Sequence, residues 1–426
     1  MPGPSRPDME SLRVLRSLPP DGRLLFVTRM ARMFAYGFLA VVLVLYLDHI
    51  GISAKRIGLL LTLTLVGDTV ISLWLTTIAD RFGRKRMLVV GAGLMLFAGL
   101  LFAVTTNFLL LLLAATIGVI SPSGNEVGPF LPIEQASLTQ LVSKEVRTEV
   151  FAWYNLAGSI ASAVGAVFGG GLAQGLINAG WAAVDSYRVL LVVYAAVGTV
   201  LWVLFRRMTP AAEAPRNSRT PGTTAPSFFA ARFGLHRSYR LVLKMSALFA
   251  LDAFGGGFIP QSIMAYWFYL RFGVSPGLLG AIFFVANILA AVSALAAARV
   301  AARIGLIRTM VFTHLPSNVL LILVPLMPNL PLAIAVLLLR FSISQMDVPT
   351  RQSYTMAVVS PDELSAAAGI TGVARTTGAA LSPMFTGMFL ANAALWNIPF
   401  FLAGGLKIIY DLSLYRSFKA VRPPEE

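Results

Sequence analysis

The sequence predicts an all-α membrane protein of twelve transmembrane helices, arranged as two pseudo-symmetric six-helix bundles. Three observations predict it. Of 426 residues, 57% are hydrophobic and only 12% charged, which leaves too few polar side chains to cover a water-soluble globule of this size. Segments of about 20 apolar residues, the length that crosses a hydrocarbon core, can be placed twelve times. Finally, the chain contains itself twice. Residues 132–170 recur in degraded form at 349–387, shifted by 217 positions without a gap, so that Pro132 falls on Pro349, Gln135 on Gln352, Ala163 on Ala380 and Gly170 on Gly387. A repeat this long is a duplicated bundle half, not a solenoid unit.

Taken in order, residues 1–23 are polar, carry several arginines and lack the apolar core of a signal peptide, so they read as a cytoplasmic tail. The first bundle occupies 24–205, with span centres near Ala40, Thr69, Leu96, Thr116 continuing to Leu138, Gly165 and Val197. A linker rich in Pro, Thr, Ser and Arg follows at 206–240. The second bundle, 241–415, has centres near Phe258, Asn287, Leu320, Phe341 continuing to Val358, Thr377 and Gly405, and a cytoplasmic tail covers 416–426. Lys and Arg concentrate in alternate loops, which places both termini in the cytoplasm of a multi-pass protein of the plasma (bacterial inner) membrane. Six spans per half give the two copies one orientation, related by an axis along the membrane normal. The fourth segment is irregular: residues 120–132 hold three prolines and two glycines at membrane depth, whereas the tenth reads more regularly. Such a stretch is either an unwound binding segment with Asn125 and Glu126 nearby or an outward loop.

The net charge of +15 would suggest nucleic acid in a soluble protein. Here it reflects basic loops beside anionic lipid, and no nucleic-acid partner is expected. Absence of cysteine excludes disulfides and thiolate metal sites. His49, His236 and His314 show no ligand spacing and read as core or interface residues, so no metal and no cofactor is expected. There is no nucleotide-binding loop and no cluster of nucleophile, base and orienting group, so the chain does not read as an enzyme.

A second repeat, ADRFGRKR at 79–86 against AARIGLIR at 301–308, carries a family resemblance. The first copy resembles the loop motif of the major facilitator superfamily, with Asp80, Arg81, Gly83, Arg84 and Lys85 in place and Thr76 where the leading Gly stands. The resemblance implies two bundles that rock around a central path lined by spans one, four, seven and ten, with the motif as a conformational latch. In the fifth span, residues 161–171 are similar to the antiporter motif GxxxGPxxGG, with Ala161 and Ala166 replacing Gly and Pro. Small residues at this spacing are also what close helix packing requires.

Charges inside spans mark a cavity, a relay or a paired bridge. Arg32 and Asp252 share one column of the duplicated unit, and Glu134 and Arg351 share another, with opposite charges in each. Glu134 and Arg351 are expected to approach across the pseudo-twofold axis as a gate or as substrate and proton chemistry. The expected transport cavity comprises Arg32, Glu134, Asp252, Arg340, Asp347, Arg351, Tyr154 and Asn155. Glu134, Asp252 and Asp68 are the proton-coupling candidates, and Arg375 in the eleventh span is a further intramembrane charge of secondary interest. The reading is a monomeric secondary transporter moving a small molecule across the bilayer by alternating access with protons or another coupling ion. Proton-coupled efflux is favoured by the loop motif and the fifth-span glycines. Uptake or exchange of a small anionic metabolite is favoured by Arg32, Arg340 and Arg351, and a non-transporting receptor is the remote alternative.

Overall fold

A computed structural model describes residues 18–143, 146–213, 238–360 and 363–419, apart from the side chains of residues 80, 148 and 365. Most of both tails and of the linker therefore lie outside the described residues. Among those described, nine helical stretches are long and apolar enough to cross a bilayer, and Phe108–Ile117 and Leu330–Phe341 are shorter apolar helices.

The first half consists of α1 (Pro20–His49), α2 (Ala54–Phe82), α3 (Arg84–Val104), α4 (Phe108–Ile117), α5 (Phe130–Leu141), α6 (Arg147–Asn178) and α7 (Ala183–Arg206). The second consists of α8 (Tyr239–Gly257), α9 (Gln261–Phe272), α10 (Pro276–Ile304), α11 (Leu306–Leu323), α12 (Leu330–Phe341), α13 (Asp347–Val358), α14 (Leu364–Leu390) and α15 (Ile398–Phe418). Large apolar side chains such as Trp74 and Val104 stay exposed on the outer helix faces, as expected where lipid is the solvent.

The repeat read from the sequence has local physical causes. Gly83 (φ 105°) and Gly305 (φ 87°) each make the one-residue turn between α2 and α3 and between α10 and α11, a backbone conformation that a Cβ disfavours. Asn107 and Asn329, equivalent in the two copies, cap α4 and α12 by accepting from the backbone N–H of Leu109 and of Leu332, respectively.

Two segments are more broken than their sequences suggest. The tenth segment, expected to be regular, is interrupted between Phe341 and Asp347, as the fourth is between Ile117 and Phe130. The seventh breaks after Gly257, where a glycine run meets Pro260, which has no N–H to continue the helix.

The latch motif is only partly described, because the Asp80 side chain lies outside the described residues. Arg81 is exposed. The backbone N–H groups of Arg84 and Lys85 donate to the Glu213 carboxylate at 2.6 and 3.1 Å, an acidic cap on the positive end of α3. Lys85 Nζ donates to Met208 O, and Arg84 donates to Gln140. The start of the linker thus folds back on the first half, where Asp21 also accepts from Thr209.

The halves meet near the end away from Gly83 and Gly305. There α6 crosses α10 at Gly170 and Gly280, and α2 crosses α14 at Gly58 and Gly387, each glycine lying on the backbone of its partner helix. Tyr266 donates to Asp48 across the same end. The fifth-span glycines serve packing: Gly165 lies against Phe34, Gly169 against Phe38 and Gly170 against Gly280, while Gly171 faces open space. Accordingly, Gly170→Ala should destabilise the fold by about 1–3 kcal/mol through overpacking. Gly171→Ala should be neutral or stabilising, since Ala exceeds Gly in helix propensity by about 1 kcal/mol. Thermal unfolding of the two variants in the same detergent checks this ordering.

Candidate functional site

Each half holds one buried charge network at the break of its fourth span. In the first half, Arg32 of α1 makes a two-pronged contact with Glu134 of α5, both N–O distances being 2.7 Å. Both side chains have no exposed surface. Tyr154 of α6 donates to the same carboxylate at 2.5 Å. Arg32 Nε reaches Glu126 at 2.8 Å, Arg29 reaches Glu126 at 3.0 Å, and Arg29 donates to Asn155 at 3.2 Å. Two cations against two carboxylates leave this network neutral.

In the second half, Arg351 of α13 is 3.1 Å from both Asp252 of α8 and Asp347 of its own helix. Lys407 Nζ of α15 is 2.6 Å from Asp252. Behind them, His314 Nδ1 of α11 lies 2.8 Å from Asp411 of α15, whose other oxygen accepts from Asn318 at 2.9 Å.

The expected Glu134–Arg351 pair is therefore not formed: each member is held inside its own half. The symmetry is kept in another form, since Arg32–Glu134 and Asp252–Arg351 join equivalent helices with the sign of charge reversed. A buried guanidinium is satisfied by the fixed carboxylates nearest to it, and in both halves these lie within the same half, on a neighbouring helix or on the arginine's own, not across the axis.

Between the halves lies a cavity of about 470 Å³. The unwound residues Pro122–Asn125 form part of its first-half wall, so the irregular fourth segment is not an outward loop. Gly124 O accepts from Ser162, and Ser262 N donates to Pro122 O, which satisfies backbone groups freed by the break. Asp68 lies outside this lining and accepts from Gly128 N at 2.5 Å, holding the same unwound segment in place.

Of the residues expected in the cavity, Asp252, Arg340, Asp347 and Arg351 line it, and Arg375 joins them. Arg32, Glu134 and Tyr154 do not, being sealed in the neutral network, and Asn155 serves Arg29. Sequence reasoning missed Lys407, and His314, read as a core or interface residue, is buried; both also line the cavity. The signal was available, because Lys407 and Asp411 sit four residues apart inside an apolar span, where a charge needs a reason.

The charge of the lining is one-sided. Arg340, Arg351, Arg375 and Lys407 face only Asp252 and Asp347. Among the described residues, neither Arg340 nor Arg375 has a carboxylate within ion-pair distance, and Arg340 Nε is buried without a hydrogen-bond acceptor. The lining residues from the first half, such as Ser123, Asn125 and Ser159, are uncharged. Setting His314 aside, the cavity has an excess of two positive charges.

The Major Facilitator Superfamily profile matches residues 25–383. The chain is 34% identical to the uncharacterized membrane protein YJR124C of Saccharomyces cerevisiae, over 94% of each chain. It is 31% identical to a Na(+), Li(+), K(+)/H(+) antiporter of Planococcus maritimus, over 36% of this chain and 34% of that one. Among solved structures, a bacterial homolog of the human lysosomal transporter Spinster, inward-facing and unoccupied, matches with a TM-score of 0.71 at 16% identity, covering 93% of this chain and 96% of that one. A D-xylose–proton symporter matches with a TM-score of 0.73 at 14% identity, covering 93% and 97%.

The sealed network makes a direct prediction. Arg32→Gln should cost about 3–5 kcal/mol by leaving Glu134 unpaired, and the double variant Arg32→Gln/Glu134→Gln should cost less than the sum of the single ones. The exchange Glu134→Arg with Arg351→Glu should restore nothing, whereas Arg32→Glu with Glu134→Arg should recover part of the loss. Thermal unfolding of the set decides between the within-half and across-axis pairings.

Proposed function

The chain belongs to the Major Facilitator Superfamily and is a secondary transporter, and we propose that its substrate is a small organic or inorganic anion bound in the cavity between the halves, against its cationic second-half wall. The observation that carries this reading is the excess of cationic side chains there, with Arg340 and Arg375 lacking a carboxylate at ion-pair distance among the described residues. An arginine left unpaired in a low-dielectric site is costly unless a ligand completes it. Its planar fork fits carboxylate or phosphate with two parallel hydrogen bonds. The volume suits a small solute.

With both termini cytoplasmic, the end at which the halves meet is the outer one, and the described conformation is inward-facing. Transport then requires α6–α10 and α2–α14 to part at their glycine contacts while the Gly83 and Gly305 ends close. Plasma-membrane placement and a monomeric working unit are part of the same proposal.

A second reading, proton-coupled efflux of a cation, is favoured by the match to the Planococcus antiporter over about a third of the chain. The charge of the cavity opposes it, because a cation entering would meet an excess of like charge.

Counterflow in proteoliposomes separates the two readings. The panel is inorganic phosphate, mono- and dicarboxylates, a neutral sugar and sodium. Exchange is expected only for anions, and Arg340→Gln is expected to raise KM about tenfold or more without lowering thermal stability. Exchange of sodium or the sugar with none of the anions would overturn the assignment.

A further inference from the structure

The cavity wall holds uncharged hydrogen-bond donors that anion binding by Arg340 and Arg375 leaves unused. Gln261, the first residue of α9, lines the cavity and is only 8% exposed. Its Oε1 accepts from Asn287 Nδ2 of α10 at 3.3 Å, which turns the amide nitrogen away from that partner. Among the described residues, Gln261 Nε2 has no acceptor. Ser344, in the break of the tenth span, is buried in the same cavity wall, and its Oγ has no partner among them either. A buried donor without an acceptor has given up its hydration for nothing, so a ligand that supplies the acceptor gains more than one ordinary contact.

Gln261 is held in place. Ser262 N donates to Pro122 O of the unwound first-half segment at 3.0 Å, which pins the first turn of α9 one residue away. Beside the amide stands Gly124, at φ 69°, where an added Cβ would lie 3.6 Å from Gln261 Oε1. Packing from one half and backbone from the other thus keep the side chain from swinging to a different partner. The positive end of α9 adds to the attraction for an acceptor oxygen.

The amide and Arg340 lie at matching depth. Helices α10 and α12 run in the same direction, and Gln345 N donates to Ser293 Oγ of α10 at 3.3 Å, which fixes their register. Asn287 stands six residues before Ser293, and Arg340 five before Gln345, each about one and a half helical turns. A ligand whose charged group sits on Arg340 therefore has its remaining atoms in the layer of Gln261.

We propose that Gln261 is a specificity-determining residue of this transporter, and that the transported anion carries, apart from its charged group, an uncharged acceptor oxygen that receives the N–H of Gln261 Nε2. Asn287 is the positioning residue for that amide. The substrate class is a hydroxy- or oxo-substituted organic anion, in preference to a bare inorganic or simple alkyl one. The inference rests on the anion reading and narrows it. Size agrees, since a cavity of about 470 Å³ has room for an organic solute beyond its charged group. An analogue lacking the oxygen would enter with its charge satisfied and leave Gln261 Nε2 buried and unpaired.

The test uses anion pairs matched in charge and chain length that differ by one hydroxyl: succinate and malate, butyrate and 3-hydroxybutyrate, ethyl phosphate and 2-hydroxyethyl phosphate. Counterflow in proteoliposomes gives KM for each. In at least one pair, the hydroxylated member should have a KM lower by about tenfold or more. Gln261→Leu should bring the two values of that pair within about twofold of each other, and Asn287→Ala should narrow the gap partway. A packing or folding defect moves both members of a pair alike, so the ratio reads recognition alone. Should Gln261→Leu not fold, Asn287→Ala reads the same ratio. Equal KM values within every transported pair would overturn the subsite and leave the anion reading standing. A preference undiminished in the variants would place the recognition elsewhere and overturn the role of Gln261. Exchange of none of these anions would overturn the anion reading and this inference with it.

Discussion

A guanidinium and a carboxylate removed from water each lose several kcal/mol of hydration, and only close, fixed geometry returns it. That constraint organises this molecule. Arg32 and Glu134 meet it with two parallel 2.7 Å contacts. To bring them together, α1 must pack against α5, and α5 must begin where the fourth span breaks. The break in turn frees backbone groups, and Asp68 and Ser162 satisfy some of them from the neighbouring helices α2 and α6. The first half is thus a closed unit whose charges cancel and whose contribution to the cavity is unwound backbone and hydroxyls.

The second half solves the same problem incompletely. Asp252 is shared by Arg351 and Lys407, and Arg351 is shared by Asp252 and Asp347, so no partner is exclusive. Arg340 and Arg375 add charge without adding a carboxylate. The two halves divide the work: the first closes its charges on one another in a buried bridge, and the second turns a network with surplus positive charge toward the cavity. An anion that enters the cavity competes with these shared carboxylates for the same cations.

The duplication was legible in the sequence because glycines in one-residue turns and asparagines at helix starts have few substitutes. Gly83 and Gly305, Asn107 and Asn329, and the glycines at the crossings all keep their columns. The family followed from the loop motif for the same reason. Partner choice was not legible. Shared columns placed Glu134 and Arg351 on equivalent helices, but the column does not tell how far each helix stands from the axis, and a few ångströms decide which cation a carboxylate reaches. The break in the tenth span was hidden because residues 342–346 contain neither Gly nor Pro, so the helix ends through tertiary context alone. Lys407, Asp411 and His314 come from spans outside the expected central four, and only packing brings them to Asp252.

The reversed sign of the two bridges constrains how the halves can have diverged from one duplicated unit. If the ancestor carried Arg on its first span and Glu on its fourth, the second copy had to replace both. A single replacement, Arg to Asp or Glu to Arg, would set two like charges side by side in a dry interior. A path through a neutral pair, with the charge removed from both helices before either is restored, avoids that barrier. The same reasoning applies to laboratory recombination: a chimera that joins the first span of one half to the fourth span of the other inherits Arg32 opposite Arg351, or Asp252 opposite Glu134. The two bundles share a shape and are not interchangeable parts.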